Sequence, residues 1–293
     1  MSNQAFGGEP PLWKLHIDLD VPLARWQRAL QRAIDLVSFG LTAMATVPEG
    51  EVRLPGEVLR FAVASNYAMT FLEAKEEFGL WVLQGGFRDV VEGLHDFLEE
   101  ARVACAAVAL GPKFTMPAGW IPPFTRESPE GQRFHWLGLD KKLGTLGDEY
   151  SVVLGGELRT AVDGINRARN CLAHRGGVVG DQDKNDPAGL RISWRRLEFL
   201  VKDVATGAER LLMLNQLIEA ESDVLLHIGA VERLFKLGER VSFTPEDIIG
   251  VCFTLLSVGQ ELSASVVQYT RSKGFPIASK GDTVDPRGPK GTT

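Results

Sequence analysis

The chain is 293 residues long, 44% hydrophobic and 24% charged, with a formal net charge of -6. That length supports one large domain or two small ones around a substantial core. The acidic balance argues against sequence-blind coating of nucleic acid, which needs many phosphate-neutralising cations. The three cysteines, Cys105, Cys171 and Cys252, are odd in number and form no CxxC pair. They support neither a zinc knuckle nor a disulfide framework. The opening Met1-Ser2-Asn3-Gln4 lacks the basic-then-apolar pattern of a leader, and the apolar runs near 103–110 and 251–258 are too short to cross a bilayer. The expectation is a cytoplasmic protein with no membrane contact.

Residues 1–19 read as an extended arm, with Pro10-Pro11 resisting helix. Asp20 can cap a first helix over 20–46, where Leu23, Trp26, Leu30, Ile34, Val37 and Leu41 recur at helical spacing. A loop follows over 47–55. A second helix is expected over 56–78 and a third over 86–110, the latter carrying Phe87, Val90, Val91, Leu94, Phe97 and Leu98 on one face. Residues 1–85 thus form an N-terminal arm and helical extension. The proline- and glycine-rich stretch 111–131, with Trp120 and Pro122-Pro123, reads as a packed surface loop or a lid. A helix over 132–150, broken at Gly144 or Gly147, precedes one over 156–175 that Gly176 can end in the left-handed conformation.

The pattern then changes. Residues 191–201 alternate in part, Thr206-Gly207 suits a hairpin turn, and 208–214 is apolar. Residues 231–243 read as a second, shorter hairpin around Gly238 or as a helix. Thr244-Pro245-Glu246-Asp247 is a helix start: a capping hydroxyl, proline in the first turn, then acids at the positive dipole end. That helix should reach about 271, and 273–293 has the composition of a disordered tail. The predicted fold is mainly α: an antiparallel helical bundle with a small β-hairpin insertion, at about 190–243, before the C-terminal helix.

Chemistry concentrates in Arg169-Asn170-Cys171-Leu172-Ala173-His174-Arg175-Gly176-Gly177. On an ideal helix Leu158, Ala161, Ile165, Ala168 and Leu172 share a core face, and Asp163, Arg167, Asn170 and His174 share the opposite one. Arg169 falls near the core side, by Val162, and Arg167 lies better on the polar stripe. Arginine suits phosphate because its planar fork grips two oxygens and keeps its charge. Histidine suits proton transfer near neutral pH, and a helix C-terminus favours its protonated form. Asn170 can orient the ring or bind an oxygen. Cys171 lies away from His174 with no dedicated base, so no nucleophilic role is expected. Asp89, Glu92 and Asp96 read as a solvated face or as groups that orient a catalytic side chain. Lys141-Lys142 is a weaker candidate for phosphate contacts. His16, His95, His135 and His227 have no matching motif residues near them in the sequence and read as structural or surface residues.

At these residues the sequence resembles the HEPN family, the "higher eukaryotes and prokaryotes nucleotide-binding" domains. Their signature is an arginine, a polar residue, and a histidine a few positions later. Here it reads Arg169, Asn170, three further residues and His174, with Gly176-Gly177 as the helix stop. The resemblance covers about 86–272. It implies a metal-independent endoribonuclease without a cofactor, working as a homodimer whose two motifs meet in one cleft. It implies that Arg169 stabilises the scissile phosphate and that His174 moves a proton. Asn170, Arg167 and Arg175 would support them. The products would carry a 2′,3′-cyclic phosphate. Many such proteins look like toxins or defence nucleases, so an antitoxin or other protein partner is expected alongside the RNA substrate. Other members have lost catalysis and serve as scaffolds binding a nucleotide, RNA or a protein.

Overall fold

The computed structural model describes residues 17–50, 69–112, 114, 122, 124–212, 218 and 221–277. The expected arm, most of the expected second helix, Trp120 and nearly all of the tail lie outside these residues. The chain divides into two compact units. One takes Val21–Leu98 and Leu154–Glu261; the other takes the described residues of Met1–Asp20, Glu99–Val153 and Leu262–Thr293.

In the first unit, helix α1 (Asp20–Thr46) buries Trp26, Leu30, Ala33 and Val37, one residue per turn. Helix α2 runs unbroken over Phe71–Ala109. The expected gap between 78 and 86 is absent, and the expected boundary at 85/86 falls inside this helix. Gly86 lies within the helix and serves close packing. A Cβ on Gly86 would come within 2.3 Å of Val37, one on Gly79 within 3.1 Å of Met44, and one on Gly93 within 2.7 Å of Trp26. These glycines recur every seven residues and meet α1 positions in reverse order, so α1 lies antiparallel on this stripe.

Helix α5 (Gly156–Arg175) and helix α6 (Pro245–Ser272) complete this unit's helical set. The α6 start is a reciprocal cap: Thr244 N–H donates to Asp247 Oδ2 at 2.8 Å and Asp247 N–H to Thr244 Oγ1 at 3.2 Å. Ile248, Val251, Leu255 and Val258 are buried at helical spacing, and the Trp26 indole donates to the Leu255 carbonyl at 3.2 Å. By length and composition α6 is apolar enough to cross a membrane, and half of its most apolar window is buried inside the chain. The short run at 251–258 is thus the middle of a 28-residue helix.

Between α5 and α6 lies a three-stranded antiparallel sheet of β1 (Gly189–Asp203), β2 (Glu209–Leu211) and β3 (Ser222–Lys236), in the order β2-β1-β3. The β1–β3 ladder runs from Leu190↔Phe235 through Trp194↔Val231 to Asp203↔Ser222. Residues 231–236 therefore end a long strand, neither a helix nor the start of a separate hairpin. Gly238, at φ 78°, makes the turn that follows, and its N–H donates to the Val179 carbonyl at 2.9 Å. Leu190, Ile192 and Trp194 form the buried face of β1, whereas Leu197 and Phe199 are exposed.

The second unit holds α3 (Pro129–His135), α4 (Leu139–Tyr150) and the adjoining parts of α2 and α6. The Ser128 hydroxyl caps α3 by accepting from Gly131 N–H at 2.9 Å. The expected helix over 132–150 does break, but at Trp136-Leu137-Gly138; Gly144 and Gly147 lie within α4. Gly138 takes an extended conformation as the α4 N-cap. Phe134, Leu139, Leu143 and Leu146 pack inside with Cys105 and Val108.

Candidate functional site

The sequence places α5 by its apolar stripe: Leu158, Val162, Ile165, Ala168 and Leu172 are buried. Gly164 lets β1 approach, since a Cβ there would sit 2.7 Å from the Arg191 carbonyl. Asp163, Arg167 and Asn170 are half-buried and His174 is exposed. The helix ends as expected. Gly176 and Gly177 have φ of 60° and 81°, conformations that glycine adopts without a Cβ penalty. Both N–H groups return to the Cys171 carbonyl. Val241 N–H then donates to the Gly177 carbonyl at 2.8 Å, fixing the chain beyond the stop.

Arg167 and the motif residues Arg169, Asn170 and Arg175 go to three different places. Arg169 settles the geometric conflict on its helix by reaching α2: Nη2 donates to Glu92 Oε1, and Nη1 donates to Asn170 Oδ1 at 2.9 Å. Its Nε is buried and has no acceptor. Burial lowers the Arg169 pKa, and the neighbouring Arg88 charge lowers it further. Glu92 is thus the partner of the motif arginine, one of the two roles open to it in the sequence. Arg167 belongs to a separate pair, with Nε on Asp163 Oδ2 at 2.8 Å and Nη1 on the Lys184 carbonyl at 3.0 Å.

Arg175, expected as a supporting cation, pairs with Asp183, with Nε on Oδ2 at 2.8 Å and Nη2 on Oδ1. Asp183 is 1% exposed and also accepts from Gly180 N–H at 2.9 Å. The pair ties the helix end to the short 3-10 turn Asp181–Asp183. Its hydrogen bonds to Asp183 raise the Arg175 pKa, so it stays charged and occupied. Among the described residues His174 makes no hydrogen bond or ion pair. Its ring stands free at the negative end of the α5 dipole. Cys171 is buried, and burial together with the Asp183 charge pushes its thiol up to about 11, so it is not a nucleophile near neutral pH.

Lys142 also departs from expectation. It is 1% exposed and donates to Glu99 Oε1 at 2.8 Å, so it cannot contact a phosphate from solvent. His135 Nδ1 lies 2.6 Å from the same oxygen. Burial raises the Glu99 pKa, but the Lys142 and His135 hydrogen bonds outweigh it and hold the carboxylate below its ordinary value. A sequence signal for this cluster existed: Lys142 sits on the 139-142-143-146 stripe among leucines. Among the described residues there is no group of three or more His, Cys, Asp and Glu side chains able to hold a metal ion. No family model matches the chain, and neither the curated proteins nor the solved structures contain a significant match to it.

Proposed function

We propose that this chain is a metal-independent endoribonuclease of the HEPN type, cytoplasmic, and built around an antiparallel helical bundle that pairs with a second copy. The observation that carries the reading is the end of α5. An unpartnered, exposed imidazole follows a tethered arginine–asparagine pair by about one helical turn, on the stripe that α5 leaves uncovered. In this reading the ribose 2′-hydroxyl attacks phosphorus and the 5′-oxygen leaves. The products are a 2′,3′-cyclic phosphate and a 5′-hydroxyl. Arg169 stabilises the charge that builds on the phosphoryl oxygens, and His174 takes or returns the proton. Two copies of His174 across a two-fold axis would divide those proton transfers. Asn170 steadies Arg169, Arg167 flanks the cleft, and an antitoxin or other protein partner would regulate access.

One observation favours a second reading, a silent scaffold that binds RNA, a nucleotide or a protein. Both terminal nitrogens of Arg169 already donate, to Glu92 and to Asn170, so the Glu92 carboxylate competes with a phosphate for the guanidinium. The test is incubation of the purified chain with mixed RNA in excess chelator. Cleavage by the native chain and its loss in His174→Ala support the nuclease. Cleavage that survives Arg169→Ala combined with His174→Ala removes it. RNA retained without any cutting supports the scaffold. Sedimentation should show a dimer; a monomer at high concentration contradicts the composite cleft.

A further inference from the structure

The unit that contains α3 and α4 holds a cavity of about 460 Å³ that is separate from the α5 terminus. Its floor includes Arg102, a residue of α2 that is 6% exposed. Arg102 Nη2 donates to the Phe124 carbonyl at 2.7 Å, and the guanidinium carbon lies 5.2 Å from the centre of the Phe134 ring. Its Nε is sealed from water and has no acceptor. No acidic side chain pairs with it among the described residues. The contrast within the same unit is direct: the other fully buried cation, Lys142, has Glu99 as its counter-charge.

A guanidinium keeps its charge under all ordinary conditions. Burying such a charge without a counter-ion is costly, and one carbonyl plus one aromatic face recover only part of the loss. The missing element is an anion, and the cavity beside Arg102 is where one can enter. Phe124, Phe134 and Leu137 wall the space with apolar surface. At the rim Glu130 and Arg133 pair with each other at 3.3 Å. Glu149 is solvent-exposed there, where salt screens its repulsion. One buried cation under apolar walls matches a ligand with one negative charge and an apolar body. A phosphate dianion would leave a charge unmatched on the floor.

We propose that this cavity binds a small organic monocarboxylate with an apolar or aromatic body, its carboxylate meeting the Arg102 guanidinium. The site stands apart from the ribonuclease reading and does not depend on it. The probe is 4-fluorobenzoate, followed by fluorine NMR against the full chain. Saturable broadening is expected, with none from the neutral 4-fluorobenzamide at equal concentration. Arg102→Gln should weaken binding at least tenfold while circular dichroism stays native. Thr145→Trp, which narrows the cavity and leaves Arg102 in place, should do the same, and it decides the matter if Arg102→Gln fails to fold. Equal broadening by the amide, no saturable broadening, or unchanged affinity in a folded variant overturns the proposal. Displacement of the probe by equimolar inorganic phosphate overturns the carboxylate class.

Discussion

Around Glu99 a carboxylate takes a hydrogen bond from Lys142 at 2.8 Å and lies 2.6 Å from His135, with Lys142 almost wholly buried. At the end of α5 the same residue types are spread out: Arg169 and Arg175 each have an acidic partner, and His174 has none. The first region spends its histidine on structure, and the second leaves one free. Charges that are paired and sealed hold a fold in place, and their loss is felt as stability. A ring that is exposed and unpaired adds little to stability. The two regions should therefore respond to mutation in opposite ways.

The largest effect is expected at Glu99. Glu99→Ala leaves Lys142 buried without a counter-charge and should cost about 3–5 kcal/mol in denaturant unfolding. The same group sets an acid limit. Its native pKa lies below its ordinary 4.5, so its contribution is complete above 4.5 and is lost as pH falls through the lower native value. Glu99→Gln should flatten that part of the stability–pH curve. Next is Arg175→Ala, which leaves buried Asp183 without its counter-charge; about 2–3 kcal/mol is expected, with RNA cleavage lost only through unfolding. Glu92→Gln sharpens the contrast at Arg169. It keeps an acceptor on α2 but removes the competing charge, so RNA should bind about threefold more tightly. Smallest in stability is His174→Ala, expected within about 0.5 kcal/mol of the native chain. A large loss of stability there would erase the distinction between the regions.

Much of the local structure is legible in short runs of adjacent residues. The Asp20 start, the 3.6-residue period through Trp26 and Leu30, and the glycine stop after Arg175 all place helix ends from a few adjacent residues. So does the Thr244–Asp247 cap. What adjacent residues do not report is who lies across a contact. The expected gap between 78 and 86 closes into one helix, and nothing adjacent to Gly86 reports that Val37 packs on it. The strand before residue 231 has its alternation blurred because much of β3 is exposed, and its identity comes from pairing with β1 some thirty positions away. The motif arginine is selected by the resemblance, since helix geometry alone favours Arg167. Its partner Glu92, 77 residues earlier, is one of eight acids on that helix. Nor does the sequence show that Arg175, the supporting cation, pairs with Asp183.

The chemical identity of the RNA ends tests the central claim most directly. In excess chelator the native chain should yield 2′,3′-cyclic phosphate and 5′-hydroxyl termini, and a folded His174→Ala chain should yield neither. Products bearing 5′-phosphates, or cyclic phosphates made equally well without His174, would contradict it.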